Sequence, residues 1–432
     1  MSSQARGVGD SEFQYRFYDL YTMQPLGSMP INKATYTKKL NGAGSFQGTI
    51  YLEDPRLQGL APIAMCHPGR TALFIDVGGT LDWGGVIWTR NYQRTTRTLT
   101  LGGSEMWSYI YSRIQAKDYS TSWIGPTDPM QIAKTVVQDA LAVANSSLSS
   151  LAASVQGSTP TAEWVSMAFP YIQLQTVGMI VQMMQQMGYS IGYDFAVDVS
   201  YDQDFNPLTQ LTLSNPRRGR SAGTTGLMVD VSQCVDWTYP EDASRTGNKL
   251  YETSTAAASM LDIEVAAQPL QDGYPLLEQL VEHPNINSVP TGNLQEVLHA
   301  VARGDLAVMA YPAVTPTVTV AIANSSSLQL GDFIIGDDIR FYVPKVASLS
   351  GTASTDLFDS ALPFDSPSVA FDGVQASLAG LNYDPRFPNG LDTYFRIIQQ
   401  DTTVNDAGLS TFKLTLNVPP SASGLPVPAP VT

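Results

Sequence analysis

The chain has 432 residues, of which 43% are hydrophobic and 15% charged, a composition typical of a folded, charge-poor globular protein with two or three domains. Its net charge of −15 argues against stable binding of nucleic acid, because that binding needs cations to replace phosphate counterions. The sequence shows neither the apolar core of a signal peptide nor an apolar run of the roughly 18 residues that a membrane span requires, so we expect synthesis in the cytoplasm and no membrane span.

The N-terminal part of the chain is strand-like after a polar start. Residues 1–12 are small and polar and are predicted to form a flexible arm. Between Thr71 and Gly103, apolar runs and alternating apolar and polar residues are separated by glycine turns, which predicts a β-meander. Segment 104–114 changes to helical spacing, and this change predicts a short helix with Ser104 at its N-cap.

The middle of the chain is predicted to be helical. Asp128 and Pro129 form a helix start signal, with aspartate at the N-cap and proline at the first helical position. A second helix is predicted over residues 172–187, with Gly188 as its stop. The low-complexity segment 146–161 between the two is predicted to be a loop or a frayed helix end.

Strands are predicted to return after Tyr189. The single basic cluster, Arg217-Arg218-Gly219-Arg220, follows an Asn-Pro pair and is interpreted as a solvated turn. Residues 311–322 and 328–343 predict a strand pair, and residues 394–418 predict a closing hairpin.

Two further features interrupt these C-terminal strands. A capping box from Asn293 to Glu296 predicts an inserted helix near 293–303 that ends at Gly304. Residues 344–392 are rich in small and polar residues, proline and glycine, and are predicted to form a long loop. The last residues, 419–432, are predicted to be an extended Pro-rich tail.

The histidines and cysteines do not predict an active site. His67 adjoins Cys66 in a Pro/Gly turn, where neighbouring side chains point apart, so a Cys–His nucleophile pair is a poor fit. His283 lies at a helix end or in a loop, and His299 has no partner one helical turn away. The distant Cys66 and Cys234 indicate neither a disulfide scaffold nor a zinc site.

The glycine-rich and acidic segments are also better explained by turns. Residues 77–80 and 223–226 do not stand between a strand and a long helix, as a phosphate-binding loop would. The acidic groups at 53–56 and 336–338 could suit a calcium loop or a glycosidase pair, but aspartate favours turns through its own backbone hydrogen bonds. The sequence therefore predicts no enzyme, and no catalytic, cofactor-binding or metal-binding residues.

The order of these elements resembles that of the tail hub proteins of long-tailed phages, including the minor tail proteins of phages of actinobacteria. The resemblance rests on the meander at 71–103 and its short helix, on Asn248 and Tyr251 in the strand at 227–254, and on the strands near the C-terminus. It implies a β-rich α+β fold with two tube-forming, β-barrel-like domains, 13–112 and 201–418, separated by a helical α+β insert, 113–200.

The same resemblance implies a structural protein of the virion. It implies a homotrimeric tail hub at the tail tip that closes or adapts the distal end of the tail tube, after assembly in the host cytoplasm. Expected partners are the distal tail or tube ring protein, the tape-measure protein and other tail-tip proteins. DNA would pass only transiently through the ejection channel, and acidic side chains along the bore would keep it from adhering.

A tail-tip protein that binds a receptor or a carbohydrate is the alternative function. Such a protein would also be β-rich, and tyrosine and tryptophan side chains could stack on sugars. The six tryptophans are scattered along the chain, which favours packing in cores and interfaces over a binding platform.

Overall fold

The structure is a computed structural model that describes residues 13–143, 151–153, 165–185, 193–215, 217–254, 261–283, 294–322, 328–344, 387, 390–405 and 410–418. The predicted arm at 1–12 and the tail at 419–432 lie outside these residues. So do most of the predicted loop at 344–392 and the two predicted helix signals Gly188 and Asn293.

The N-terminal part forms the predicted meander. Its elements are β1 Phe13–Asp19, β2 Pro25–Ser28, β3 Lys33–Lys39, β4 Ser45–Tyr51, α1 Pro62–Met65, β5 Thr71–Val77, β6 Thr80–Gln93, β7 Thr98–Glu105 and α2 Trp107–Tyr111. The predicted N-cap at Ser104 is wrong, because this residue lies inside β7 and pairs with β4 and β6. Its hydroxyl donates to the carbonyl of Gly44 at 2.6 Å and not to the first turn of α2.

Among the described residues, the middle of the chain contains the two predicted helices together with five strands, and the second helix begins later than predicted. They are β8 Tyr119–Thr127, α3 Pro129–Ala142, β9 Leu151–Ala153, β10 Val165–Phe169, α4 Val177–Gln185, β11 Asp194–Tyr201 and β12 Pro207–Ser214. Asp128 caps α3 as predicted, because its carboxylate accepts from the Met130 backbone N–H at 2.9 Å. The predicted loop at 146–161 contains β9, which pairs in parallel with β12.

The C-terminal part returns to strands. Its elements are β13 Met228–Asp230, β14 Asp236–Thr238, β15 Glu241–Asp242, β16 Lys249–Thr253, β17 Leu261–Val265, α5 Ala267–Gln271, β18 Glu278–Glu282, α6 Leu294–Met309, β19 Ala313–Val314, β20 Thr317–Ala321, β21 Asp338–Val343, β22 Leu391–Asn405 and β23 Thr411–Asn417. The predicted stop at Gly304 is wrong, because α6 continues to Met309. The apolar face of the helix extends to the buried Ala307, and a glycine inside a helix costs only about 1 kcal/mol.

One sheet of 13 strands joins the two ends of the chain. The long strand β22 pairs antiparallel with β3 near the N-terminus, with β23 near the C-terminus, and with β21 over its first residues. The order along the sheet is β14-β20-β23-β22-β3-β4-β7-β6-β5-β1-β2, with β21 paired to β22 and β13 paired to β21. Among the described strands this path is open and closes no barrel. The fold is therefore β-rich as expected, while the barrel-like shape and the predicted domain boundaries stay predictions.

Two apolar cores lie against this sheet. One contains residues from both ends of the chain, among them Phe17, Trp83 and Phe395, all nearly inaccessible to solvent. The other surrounds α3 and α4 and includes Trp107 and Phe195, whose ring centroids are 4.8 Å apart. Burying one large apolar side chain is worth about 1.5–3 kcal/mol, so the first core fastens the two ends of the chain together.

A smaller sheet of three strands is separate from the large sheet. Its order is β17-β16-β18, with β17 antiparallel and β18 parallel to the central strand β16. Helix α6 packs on one face of this sheet. We call β16, β17, β18 and α6 together the small module.

Candidate functional site

The basic cluster at 217–220 lies at the centre of an ionic junction that is buried except at Arg220 and Asp198. It meets the acidic turn at 336–338, two aspartates of β11 and one arginine of β22. We call this set the arginine–aspartate junction; its members are Arg217, Arg218, Arg220, Arg396, Asp194, Asp198, Asp337 and Asp338. The interpretation of the basic cluster as a solvated turn is wrong at Arg218, whose side chain is buried by these contacts.

Each arginine of the junction binds an aspartate from a distant part of the chain. Arg217 binds Asp338 with its two terminal nitrogens, at 3.0 and 2.5 Å. Arg220 binds Asp337 at 2.6 Å, and Arg218 binds Asp198 through both of its terminal nitrogens. The predicted turn is present over residues 334–337, Asp338 begins β21, and both carboxylates of 336–338 are buried partners of arginines.

Arg396 and Asp194 form the innermost pair of the junction. Arg396 is bound to the Asp194 carboxylate, and the same nitrogen donates to the carbonyl of Arg218 at 2.8 Å. Asp194 also accepts from the Arg218 backbone N–H at 2.8 Å. One pair therefore holds β11, the loop after β12 and β22 against each other.

Two glycines allow the backbones of this junction to approach closely. Gly219 and Gly336 both have positive φ angles, +87° and +106°. A Cβ atom at Gly219 would lie 2.2 Å from the carbonyl carbon of Gly336, well inside van der Waals contact. The loop at 217–220 and the turn at 336–338 can therefore cross only because both residues are glycine.

The charges of the junction balance, with four arginines against four aspartates. Buried ion pairs offset their desolvation cost only when geometry and further hydrogen bonds are good, and removal of one partner costs about 3–5 kcal/mol. Because the aspartates are occupied by arginines, the junction is suited to locking segments together and not to acid–base chemistry.

A buried glutamate lies in the N-terminal strands, near enough to Asp198 of the junction for the two charges to interact. Glu105 ends β7, and one of its carboxylate oxygens accepts from the Gly44 backbone N–H at 2.5 Å. Burial raises the pKa of Glu105 to about 8, against a lowering contribution from the Gly44 hydrogen bond. Unlike the aspartates of the junction, this carboxyl has no arginine against it among its described contacts.

The structure gives two of the three histidines acidic partners that the sequence did not reveal. His67 is exposed, and its Nδ1 lies 3.1 Å from the carbonyl of Pro68. Nε2 of His283 lies 2.5 Å from Glu252 and 3.2 Å from Asp305. Residue spacing cannot reveal these partners, because they come from β16 and α6 and meet His283 only when the small module forms.

His299 forms the second group in the small module. Its Nδ1 lies 3.1 Å from Asp262 and 2.9 Å from Glu264, both on β17. The two groups adjoin, because Asp262 stands directly opposite Glu252 in the strand pairing. Four acidic side chains thus share the space between the sheet and α6 with two histidines.

Charges and hydrogen bonds set the protonation of the first group. Burial raises the pKa of Glu252, although the hydrogen bond from His283 acts in the opposite direction. Burial alone would lower the pKa of His283, but hydrogen bonds and charges from Asp305 and Glu252 outweigh it and raise that pKa to about 9. The group therefore attracts positive charge.

The opposite face of the small sheet exposes several apolar side chains beside the ion pair of Lys249 and Glu278. Leu261, Ile263 and Val265 of β17 are each about half exposed, and Leu280 of β18 is 63% exposed. Ile263 and Leu280 both stand opposite Tyr251 of β16, so they lie on one face with it. We call this surface the outer face of the small module.

Other candidate features serve packing or turns. Cys66 and Cys234 are free, and burial raises the pKa of both thiols to about 12. Gly78 and Gly79 form a turn with positive φ between β5 and β6, as predicted. Trp83 and Trp107 are buried in the cores, which confirms the packing role predicted for these two.

In the described part of the chain, no helix combines the length and apolar character needed to cross a membrane.

Solved structures identify the fold, whereas no protein-family model and no curated protein matches the sequence. A tail protein from Neisseria meningitidis MC58 is 10% identical, with a TM-score of 0.53 over 94% of this chain and 96% of that one. The 43 kDa tail protein of prophage MuSo2 from Shewanella oneidensis is 13% identical, with a TM-score of 0.54 over 96% of this chain and 100% of that one. The chain therefore has the fold of phage tail proteins, and this agrees with the resemblance noted in its sequence.

Proposed function

We propose that this protein is a structural component of a phage tail: a homotrimeric tail hub at the tail tip that closes or adapts the distal end of the tail tube. The observation that carries the proposal is the fold, which two phage tail proteins share over nearly the whole of their own length and of this chain. At 10% and 13% identity the likeness concerns architecture, so the role itself is inferred.

The joined sheet supports an architectural role. The pairing of β22 with β3 brings residues near the two ends of the chain into one sheet, and the arginine–aspartate junction fastens the middle segments to it. A subunit whose two ends are paired in one sheet resists unfolding by a pulling force. A component of a phage tail needs this mechanical resistance. In a trimer, two strand-rich regions per chain would give a ring of pseudo-sixfold symmetry that fits a hexameric tube.

The outer face of the small module supports self-association. Leu261, Ile263 and Val265 of β17 and Leu280 of β18 expose apolar side chains on the two strands that flank β16. Contiguous exposed apolar surface on a folded protein commonly marks an interface. We assign this face to the contact between copies of the chain in the trimer.

The acidic charge suits a DNA channel. A trimer would carry three times the net charge of −15, and acidic side chains along a bore would repel passing DNA. The distal tail or tube ring protein, the tape-measure protein and other tail-tip proteins are the partners proposed for the two ends of the ring. We propose no stable binding of nucleic acid and no enzymatic activity.

The first test is the native mass of the purified chain, measured together with negative-stain images of the same sample. The proposal expects three times the 46.7 kDa of one chain, and threefold rings with a central hole. Antibody labelling of intact phage particles should then mark the axis of the tail at its tip. Labelling elsewhere on the particle would contradict the proposed position.

A monomer in the mass measurement would contradict the self-assembling trimer. If that monomer also bound sugars on a glycan array, the receptor- or carbohydrate-binding alternative would replace the hub. Labelling of the outer edge of the tip instead of its axis would support the same alternative.

A further inference from the structure

We propose that the small module holds a divalent transition-metal ion, with Glu252, His283 and Asp305 as its protein ligands. Zinc is the ion that best fits this set. Nothing in the role of a tail hub requires such a site, and the sequence predicts none, because its three ligands come from a strand, the residue after another strand, and a helix.

The three donor atoms already converge. Glu252, His283 and Asp305 each offer one donor atom, and these three atoms all lie within 4.8 Å of one another. Around a tetrahedral zinc ion with bonds of about 2.0–2.2 Å, donor atoms lie about 3.3 Å apart. The distance from His283 to Asp305, 3.2 Å, matches this spacing, whereas Glu252 at 2.5 Å would have to move outward by a fraction of an ångström.

The second carboxylate oxygen of Glu252, Oε1, can also take part in binding the ion. Its side chain is fully buried, and its Oε1 atom makes no hydrogen bond in the described part of the chain. A buried carboxylate oxygen without a partner is costly, so such an atom calls for an explanation. Coordination of a cation by both carboxylate oxygens of Glu252 would supply the missing interaction.

The charge of the region also calls for a cation. Glu252, Asp262, Glu264 and Asp305 lie together, and within the described residues their ion pairs involve only His283 and His299. The arginine–aspartate junction, by contrast, matches each carboxylate with an arginine. A divalent ion would balance the excess acid of the small module.

The types of ligand favour zinc over calcium or magnesium. Imidazole suits zinc and other transition metals, whereas calcium and magnesium prefer oxygen ligands alone. Two carboxylates and one histidine leave a fourth position, which water can fill. The ion would fasten α6, through Asp305, to the sheet, through Glu252 and the end of β18 at His283.

The backbone supports the position of His283. Its N–H donates to the carbonyl of Thr253 at 2.8 Å, which holds the residue beside β16 next to Glu252. The ring therefore enters the site from a fixed point, as a ligand site requires.

The test uses the full chain, free of any affinity tag and stripped of metal by a chelating resin. Zinc chloride is titrated into the protein by calorimetry, and cobalt(II) serves as a visible probe of tetrahedral coordination. The proposal expects one zinc ion per chain, a visible absorption band with cobalt, and a Tm that rises with zinc concentration.

Variants locate the site. His283→Gln and Glu252→Gln should each weaken zinc binding by at least about 10–100-fold, since loss of a supporting second-shell group alone has that effect. His67→Gln makes the same chemical change at an exposed turn and should leave affinity unchanged. If Glu252→Gln fails to fold, His283→Gln and the cobalt spectrum of the unaltered protein still decide the question.

Three results would overturn the proposal. The first is the absence of zinc binding and of any change in Tm. The second is equal weakening by His67→Gln and His283→Gln, which would indicate nonspecific binding. The third is loss of binding in His299→Gln but not in His283→Gln, which would place the ion at the exposed Asp262, Glu264 and His299 group.

Discussion

The arginine–aspartate junction and the small module place buried charge in opposite ways. The junction sets four arginines against four aspartates, and it lies where β11, the loop after β12 and β22 meet. The small module sets four acidic side chains against two histidines, under a single helix. The charges of the junction are balanced within one chain. The small module has an excess of negative charge on the face beneath α6, and apolar side chains on its outer face are exposed to solvent.

This difference suits the junction to holding segments of one chain together and the small module to binding other components. A balanced buried network loses much when one member is removed, because the partner is left as an uncompensated charge. A buried network with unbalanced charge is stabilised by a ligand that supplies the missing charge. Four variants compare contacts that are satisfied within one chain with groups that lack such contacts.

Removal of Arg396 should have the largest effect on stability. Arg396→Met leaves Asp194 buried without its innermost partner, which should cost about 3–5 kcal/mol of the free energy of unfolding in urea. The control is Arg340→Met, which removes an arginine from the exposed pair with Asp392 on the neighbouring strands and should change stability little. Equal losses of unfolding free energy in the two variants would show that the junction stabilises the fold no more than an exposed ion pair does.

The crossing of the two loops at Gly219 should give the next largest effect. Gly219→Ala adds a Cβ atom within 2.2 Å of the Gly336 backbone, whereas Gly223→Ala adds one into open space at a similar φ of +81°. Both variants bear the strain of alanine at positive φ, so the difference between them isolates the clash. We expect Gly219→Ala to be less stable by a further ~1–3 kcal/mol in thermal unfolding. A difference near zero would mean that the loops separate without cost.

Glu105 should make stability depend on pH. Its pKa of about 8 lies above the 4.5 of an exposed glutamate, so its contribution is fully present below pH 4.5 and is lost as pH rises to about 8. The loss should approach about 1.4 kcal/mol per pH unit at its steepest.

The Glu105→Gln variant isolates this contribution. Glutamine keeps an oxygen that can accept from the Gly44 N–H but does not ionise. The difference in unfolding free energy between the two proteins, measured in urea from pH 5 to 8, should therefore shift steadily in favour of Glu105→Gln. A constant difference across this range would contradict the raised pKa.

The sequence predicts local structure where the signal is local. Asp128 and Pro129 identify the start of α3, and the alternation from Thr71 to Gly103 identifies β5 to β7. It does not predict the pairing of β22 with β3, because the two strands are hundreds of residues apart and many other strands have the same pattern. For the same reason, Arg218 could be assigned to a solvated turn: nothing near it in sequence shows that Asp198 and the carbonyl of Ile335 would enclose it.

The candidate site follows the same rule. His283 and His299 lack partners at helical spacing, and their acidic neighbours come from other elements across the small module. The alternation in β17 could have been informative, since it puts Asp262 and Glu264 on one face and Ile263 on the other. An alternating pattern does not say which face is covered, and here the helix covers the acidic one.

The outer face of the small module should give the smallest change in stability and the clearest change in assembly. Leu280→Asp places a charge on a side chain that is 63% exposed, so the free energy of unfolding of a single chain should change by no more than about 0.5 kcal/mol. If copies of the chain meet through this face, the same charge would be buried in an apolar contact, and the native mass should fall from trimer to monomer.

The control is Ile172→Asp, at a side chain that is 89% exposed and remote in sequence from the small module. A trimer that survives Leu280→Asp would remove this face from the subunit contact. A trimer lost in both variants would mean that added charge alone, and not the face, is responsible.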